Sequence, residues 1–103
     1  MKQIKDLGPC ELLCQLAEEA AELSKAALKM RRAIDGKNPT PKSREACETN
    51  LIEEIADVVL IEAYLIETKV LPENLAEVVE EISKFKQRRW ENRLNGNREE
   101  KQS

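Results

Sequence analysis

Two acidic stretches decide how this chain is organised: residues 16–23 read LAEEAAEL, and residues 53–58 read EEIADV. Each places closely spaced carboxylates inside an otherwise apolar segment. Carboxylates rarely occupy protein interiors unless they are paired or bind a metal ion. The pattern therefore predicts two helices whose acidic residues face one another around a divalent cation.

Apolar periodicity and the residues that interrupt it predict three helices. Helix 1 is expected over 9–34 with Pro9 in its first turn, helix 2 over 43–69 with Ser43 as N-cap, and helix 3 over 72–94 with Pro72 at its start. The segment after residue 34 contains Gly36 and two prolines, which end helix 1. The predicted apolar stripe of helix 1 comprises Leu12, Leu16, Ala20, Leu23, Ala27, Met30 and Ile34.

The predicted fold is all-α: an antiparallel hairpin of helices 1 and 2 plus a third long helix. From Ile55 to Ile66 the second helix is apolar on nearly every side, so one hairpin partner is not enough to cover it. We therefore expect the hairpins to assemble into an oligomer with a four-helix-bundle-type core, as a homodimer or a homotetramer. Residues 1–94 are expected to form one domain, and residues 95–103 a polar, disordered tail.

Composition excludes several classes of protein. Charged residues make up 36% and apolar residues 41%, as in a globular domain, and the net charge of -3 argues against a nucleic-acid binder. The sequence has neither an apolar run long enough to span a membrane nor the apolar core of a signal peptide, so we expect a cytoplasmic protein. Three cysteines, an odd number, fit reduced thiols better than a disulfide framework.

The two acidic stretches are expected to lie level with each other. Glu22 is 12 residues before Ile34, and Asp57 is 13 residues after Arg44. At 1.5 Å per residue, both lie about 18 Å from the turn between the helices. Residues three or four apart share a helix face, so pairs of carboxylates from the two helices converge on one volume. Hard oxygen ligands of this kind suit Mg²⁺ or Mn²⁺.

The spacing Glu18-Glu19-Ala20-Ala21-Glu22 followed by Glu54-Ile55-Ala56-Asp57 resembles the signature of the MazG-like family of all-α nucleoside triphosphate pyrophosphohydrolases. The resemblance covers about residues 10–93. It implies Mg²⁺-dependent hydrolysis of a ribo- or deoxynucleoside triphosphate between the α and β phosphates, in nucleotide-pool housekeeping. It also implies a dimer or a tetramer of helical hairpins.

Motif position implies a role for each acid. The expected metal ligands are Glu19, Glu22, Glu54 and Asp57. The expected catalytic residues are Glu18 and Glu19, with Glu18 orienting the site or a water molecule. Glu53 adjoins the motif and is a weaker candidate for a role in the site. The sequence does not determine which carboxylate acts as the general base.

A basic stripe on helix 3 complements the acids. Lys86, Arg89 and Arg93 recur at steps of three and four, and MazG-like proteins often carry basic residues late in this helix, so we expect them to bind substrate phosphates. The alternative is a solvated face near a helix C-terminus, where cations are favoured. Asn50 and Trp90 are candidates for contacts to the base or sugar, although packing is the simpler role for Trp90.

Other interpretations of the sequence are weaker. A carboxylate-bridged di-iron bundle needs Glu-x-x-His pairs, and the chain has no histidine. Cys10, Cys14 and Cys47 lack a fourth ligand for a thiolate metal site, so we expect buried free thiols. Tyr64 and Phe85 are expected in a core or an interface. A non-catalytic helical oligomerisation module, or a module that binds nucleotides without turnover, remains the alternative to an enzyme.

Overall fold

The structure, a computed structural model, describes residues 2–36 and 42–96. Over these residues it is all-helical and contains no strand, which confirms the predicted fold class. A short 3₁₀ helix, Ile4–Asp6, precedes α1 (Pro9–Asp35), α2 (Arg44–Glu67) and α3 (Leu75–Leu94). Of the predicted tail, only residues 95 and 96 are described; residues 97–103 and the 37–41 part of the predicted break lie outside the described residues.

The predicted ends of α1 and the start of α2 follow from their capping residues. Pro9 is the first residue of α1, and Gly36 ends the helix with φ 68° while its N–H donates to the carbonyl of Arg32 at 2.9 Å. Only glycine adopts this left-handed conformation without a steric penalty. Ser43 caps α2, because its Oγ accepts the N–H of Ala46 at 3.2 Å.

The end of α2 is a Schellman-type cap, two residues before the predicted end at Lys69. The N–H of Val70 donates to the carbonyl of Leu65 at 2.9 Å, and the N–H of Lys69 donates to the carbonyl of Ile66 at 3.0 Å. Lys69 itself takes the left-handed position, with φ 64°. A lysine here is strained relative to glycine, because its Cβ approaches the following carbonyl oxygen.

The predicted start of α3 at Pro72 is wrong. Pro72 belongs to a turn in which its carbonyl accepts the N–H of Leu75 at 3.1 Å. Asn74 is the N-cap residue, and the helix begins at Leu75. Proline fits the first turn of a helix but also fits a turn that precedes one, where Pro72 takes the first position, so its presence alone did not locate the helix start.

The first two helices pack against each other as the predicted antiparallel hairpin. Leu12, near the beginning of α1, is fully buried against Ile61 and Leu65, near the end of α2. Half-buried apolar residues surround this cluster: Ile4, Leu7, Leu16, Tyr64 and Leu71. The largest buried cluster of the hairpin therefore lies at the end remote from the 36–43 connection, Ala26 and Cys47 are buried nearer to that connection, and the expected core role of Tyr64 is confirmed.

The buried face of α1 keeps four positions of the predicted stripe, Leu12, Leu16, Leu23 and Met30, and replaces the other three. Ala26 is only 1% exposed, whereas Ala27 is exposed and Ile34 is 56% exposed. The inward positions recur at alternating steps of four and three: Leu12, Leu16, Glu19, Leu23, Ala26, Met30 and Ala33. The matching positions of α2 are Cys47, Leu51, Glu54, Val58, Ile61, Leu65 and Thr68. This 3.5-residue period is typical of helices that stay in contact along their length, and we call these two rows the seam.

Two compact units make up the chain, Met1–Leu71 and Pro72–Ser103. In the first, α2 keeps apolar residues exposed outside the seam, with Ile55 at 46% and Val59 at 57%. In the second, α3 has an exposed apolar row formed by Val78, Val79, Ile82 and Phe85. Assembly into a four-helix core, and a single domain over residues 1–94, stay predictions.

Several predicted packing roles are corrected in the described chain. Trp90 is 60% exposed and Phe85 is 65% exposed, so neither is buried in a core of the single chain. Cys10 and Cys14 are exposed rather than buried, because they lie on the outer side of the first turns of α1; Cys47 is buried as expected. Among the described helices, none is long and apolar enough to cross a membrane.

Candidate metal centre

Three carboxylates from the two acidic stretches come together in the structure. Glu19 of α1 and Glu54 and Asp57 of α2 each offer one oxygen, and these oxygens all lie within 4.8 Å of one another. We call this group the acidic triad. It contains three of the four predicted metal ligands, so the two stretches do lie level across the hairpin, as their distances from the turn predicted.

The seam explains how the triad forms. Glu19 and Glu54 occupy seam positions on facing helices, where the neighbouring positions are mostly apolar, and both are half-buried. Asp57 lies one turn beyond Glu54 on the same side of α2 and is exposed. The triad therefore sits at the edge of the helix contact and opens to solvent on the side of Asp57.

The electrostatics of the triad are most visible at Glu54. Partial burial raises the pKa of this carboxyl above its ordinary value, and the negative charges of Asp57, Glu19, Glu22 and Glu53 raise it further. Desolvation and like charge both disfavour the ionised form. A divalent cation would reverse this effect, since positive charge next to a carboxylate favours ionisation.

Gln15 orients one ligand of the triad, and sequence reasoning missed it. Its side-chain Nε2 donates to Oε1 of Glu19 at 2.8 Å, in a partly buried position. Such a bond fixes one carboxylate oxygen and leaves the other for a cation, as groups behind metal ligands commonly do. The i, i+4 spacing of Gln15 and Glu19 on one helix face is the sequence feature that could have predicted this hydrogen bond.

The remaining acids of the two stretches lie outside the triad. Glu22 is exposed and forms an ion pair with Lys25 at 3.4 Å. The two residues are three apart on the exposed side of α1. Glu22 still lies close enough to raise the pKa of Glu54. Glu18 and Glu53 are both exposed.

The other predicted site residues lie on other parts of the chain and do not belong to the triad. Lys86, Arg89 and Arg93 are exposed on α3, in the second unit. Trp90 lines two shallow cavities of that helix, one shared with Lys86 and the other with Arg93. Asn50 is half-buried on α2, one turn before Glu54. Their expected roles stay predictions.

A cavity of about 230 Å³ adjoins the triad. Glu19 and Asp57 form one side of it, together with Gln15, and the other lining residues are apolar. An acidic edge beside an apolar recess is the usual composition of a small-molecule site, in which a few polar groups orient a ligand that is otherwise packed against apolar walls.

The donor set of the triad fits a hard divalent cation. Carboxylate oxygens suit Mg²⁺ and Mn²⁺, and Mg²⁺ is usually held by few protein ligands together with waters and phosphate oxygens. Comparisons of the chain with protein-family models, with curated proteins and with solved structures found no match. The chemistry of the site is therefore inferred from its own geometry and from the motif resemblance.

Proposed function

We propose that this chain is a Mg²⁺-dependent nucleoside triphosphate pyrophosphohydrolase of the MazG-like type, with Mn²⁺ as a possible substitute. The reaction would be hydrolysis of a ribo- or deoxynucleoside triphosphate between the α and β phosphates, giving a monophosphate and pyrophosphate. The observation that carries the proposal is the meeting of Glu19 with Glu54 and Asp57 within 4.8 Å, from two separate motif elements.

The acids need a cation to act on such a substrate, because an all-carboxylate site repels a polyphosphate. Mg²⁺, when bound, would supply positive charge that offsets the negative charge of the phosphates and of the leaving pyrophosphate. Glu19, Glu54 and Asp57 are the proposed ligands, and Glu22 is the proposed fourth if it exchanges its pair with Lys25 for the cation. Four carboxylates on two helices would hold the ion at the edge of the seam.

Two carboxylates of the first acidic stretch, one of them also a proposed metal ligand, are proposed to act on the attacking water. Glu18 and Glu19 are the candidates for orienting it and accepting its proton, since a general base must lie within hydrogen-bond reach of the proton it removes. The bond from Gln15 to Glu19 supports this role, because it holds that carboxylate in one orientation.

Charge complementarity supports a role for α3 in the same reaction. Lys86, Arg89 and Arg93 are proposed to bind the substrate phosphates, since arginine pairs with phosphate oxygens bidentately. Asn50 and Trp90 are proposed to contact the sugar or base. The protein would work as a homodimer or homotetramer in the cytoplasm, acting in nucleotide-pool housekeeping and making no stable complex with nucleic acid or membrane.

A second candidate function is a non-catalytic helical oligomerisation or nucleotide-binding module. The exposed apolar residues of α2 and α3 favour it, because apolar rows left exposed on a single chain commonly mark an interaction surface. A module without a metal site would show neither turnover nor a response to Mg²⁺.

Pyrophosphate release from a panel of ribo- and deoxynucleoside triphosphates, with Mg²⁺, Mn²⁺ or EDTA, tests the proposal. We expect metal-dependent release of pyrophosphate with a monophosphate. Release of orthophosphate would reject the assignment, because a different bond would have been cleaved. An absence of products from every nucleotide would favour the module.

A matched pair of variants locates the activity. Asp57→Asn removes a triad charge and is expected to abolish turnover while the helical content stays intact. Glu48→Gln is the control, because Glu48 is also an exposed acid of α2 but does not belong to the triad. Equal activity of the two variants would remove the triad from the proposal.

A further inference from the structure

The cavity beside the triad has a composition that metal binding does not explain. Four of its lining residues are apolar, Ile4, Leu7, Leu60 and Ile61, and the single neutral polar residue is Gln15. A site that held only a metal ion and phosphates would need polar walls throughout, because phosphates remain charged. The apolar walls fit a part of the ligand that is uncharged.

The wall formed by the N-terminal segment is held in place by the protein itself. The N–H of Gln3 donates to Oδ2 of Asp6 at 2.8 Å, and the N–H of Asp6 donates to the carbonyl of Gln3 at 2.9 Å. Ile4 and Leu7 pack against the core cluster around Leu12. The recess therefore exists without a ligand, as small-molecule sites usually do.

Gln15 presents both kinds of hydrogen-bonding group to this recess. One N–H of its amide is used by Glu19. Within residues 2–36 and 42–96, the structure shows no partner for its second N–H or for its carbonyl oxygen. A planar amide with one donor and one acceptor remaining is complementary to the adjacent donor and acceptor on the edge of a nucleobase.

We propose that this cavity binds the base of the nucleoside triphosphate, with Gln15 as the residue that contacts the base edge. The inference rests on the proposed function, which places the phosphates at the adjoining triad. At about 230 Å³ the cavity is smaller than the roughly 300–1,000 Å³ of sites for drug-sized ligands, which suits a base alone, and its volume does not separate pyrimidines from purines. Trp90 is not required for reading the base edge.

The test compares nucleotides with a substrate that has no base. The kinetic constants are measured for a pyrimidine nucleoside triphosphate, for a purine nucleoside triphosphate, and for inorganic tripolyphosphate; the inhibition constant of tripolyphosphate is used if it is not cleaved. The variant is Gln15→Leu, which keeps the size of the side chain and removes its hydrogen bonds. Gln87→Leu is the control, since Gln87 makes the same i, i+4 bond to Glu91 at 3.0 Å on α3.

We expect Gln15→Leu to lower kcat/KM for the nucleotides about tenfold more than for tripolyphosphate, mostly through KM, as loss of one or two hydrogen bonds to a ligand would produce. If all three substrates lose the same factor, Gln15 only positions Glu19; the base-site proposal is then overturned while the proposed function stands.

A second variant tests the cavity without changing the triad or Gln15. Leu60→Trp fills the recess, and Leu13→Trp is its match, because both leucines are 45% exposed and only Leu60 lines the cavity. We expect a raised KM for nucleotides in Leu60→Trp alone. Equal KM values in the two variants would overturn the base site. Wild-type protein that releases no pyrophosphate from any nucleotide would instead refute the proposed function, and the base site with it.

Discussion

The acidic triad predicts that a divalent cation stabilises the α1–α2 hairpin, and that this stabilisation depends on Asp57. Without a cation, three carboxylate oxygens lie within 4.8 Å of one another, two of them on half-buried residues. A cation that binds the folded chain and not the unfolded one raises stability by mass action. Asp57→Asn removes one of the three negative charges without removing buried apolar surface, so it separates metal binding from packing.

The expected size of the effect follows from a weak oxygen-ligand site. With a dissociation constant of about 1 mM, as in the weakest carboxylate sites, about 10 mM Mn²⁺ stabilises the fold by about 1.4 kcal/mol. For a unit of this size that raises Tm by about 6–11 °C. A roughly tenfold weaker site in Asp57→Asn leaves about 0.4 kcal/mol, or about 2–3 °C.

The assay is thermal unfolding followed by far-UV circular dichroism, in EDTA and in Mn²⁺, with ionic strength held constant because salt alone screens like charges. Wild type, Asp57→Asn and the control Glu48→Gln are compared. The reasoning is refuted if wild type melts at the same temperature in EDTA and in Mn²⁺. It is also refuted if Glu48→Gln loses as much of the metal response as Asp57→Asn does.

Three further predictions concern the fold that holds the triad. Since the pKa of Glu54 is raised in the folded chain, the stability that this residue contributes is present below its unfolded pKa and is lost as pH rises through its folded pKa. In EDTA, over about pH 4–7, the Tm of Glu54→Gln should therefore fall less than the Tm of wild type. An equal fall in both proteins would contradict the raised pKa of Glu54. Leu12→Ala should lower the free energy of unfolding by about 2.7–5 kcal/mol in urea titrations, because Leu12 is fully buried, while Leu13→Ala, at a 45% exposed position, should lose far less. Lys69→Gly should raise the free energy of unfolding by about 0.5–1 kcal/mol, because it relieves the left-handed backbone strain at this position, and the larger conformational entropy of glycine in the unfolded chain offsets part of that gain. Lys69→Ala keeps the strain, so its free energy of unfolding should not rise.

The helices were predictable where local chemistry decides their ends. Ser43 and Gly36 mark boundaries because a side-chain hydroxyl or a left-handed glycine satisfies backbone groups within a few residues. Pro72 misled the prediction, since proline fits both a first helical turn and the turn that precedes one. The prediction extended α2 to Lys69, two residues too far, because the left-handed position that Lys69 occupies normally belongs to glycine or asparagine.

The buried face of α1 was less predictable than the helix itself. Alanine-rich segments offer several stripes of similar hydrophobicity, and the choice between Ala26 and Ala27 depends on the partner helix rather than on α1 alone. The meeting of Glu19 with Glu54 was predictable because both acidic stretches lie at the same distance from the connection. The bond from Gln15 to Glu19 and the ion pair of Lys25 with Glu22 depend on side-chain rotamers. A spacing of three or four residues permits such contacts but does not determine them.

The seam shows why the triad is hard to explain as a structural feature alone. Its other positions are mostly apolar or small, and at both ends of the hairpin they are buried: Leu12 with Leu65 at one end, Ala26 and Cys47 towards the other. Glu19 and Glu54 interrupt these rows with two half-buried acids that face each other. A leucine or alanine at either position would pack better and remove the repulsion that raises the pKa of Glu54. Where local choices conflict with the fold in this way, the conflict commonly marks a functional site, and under the proposed function a bound cation compensates both carboxylates at once.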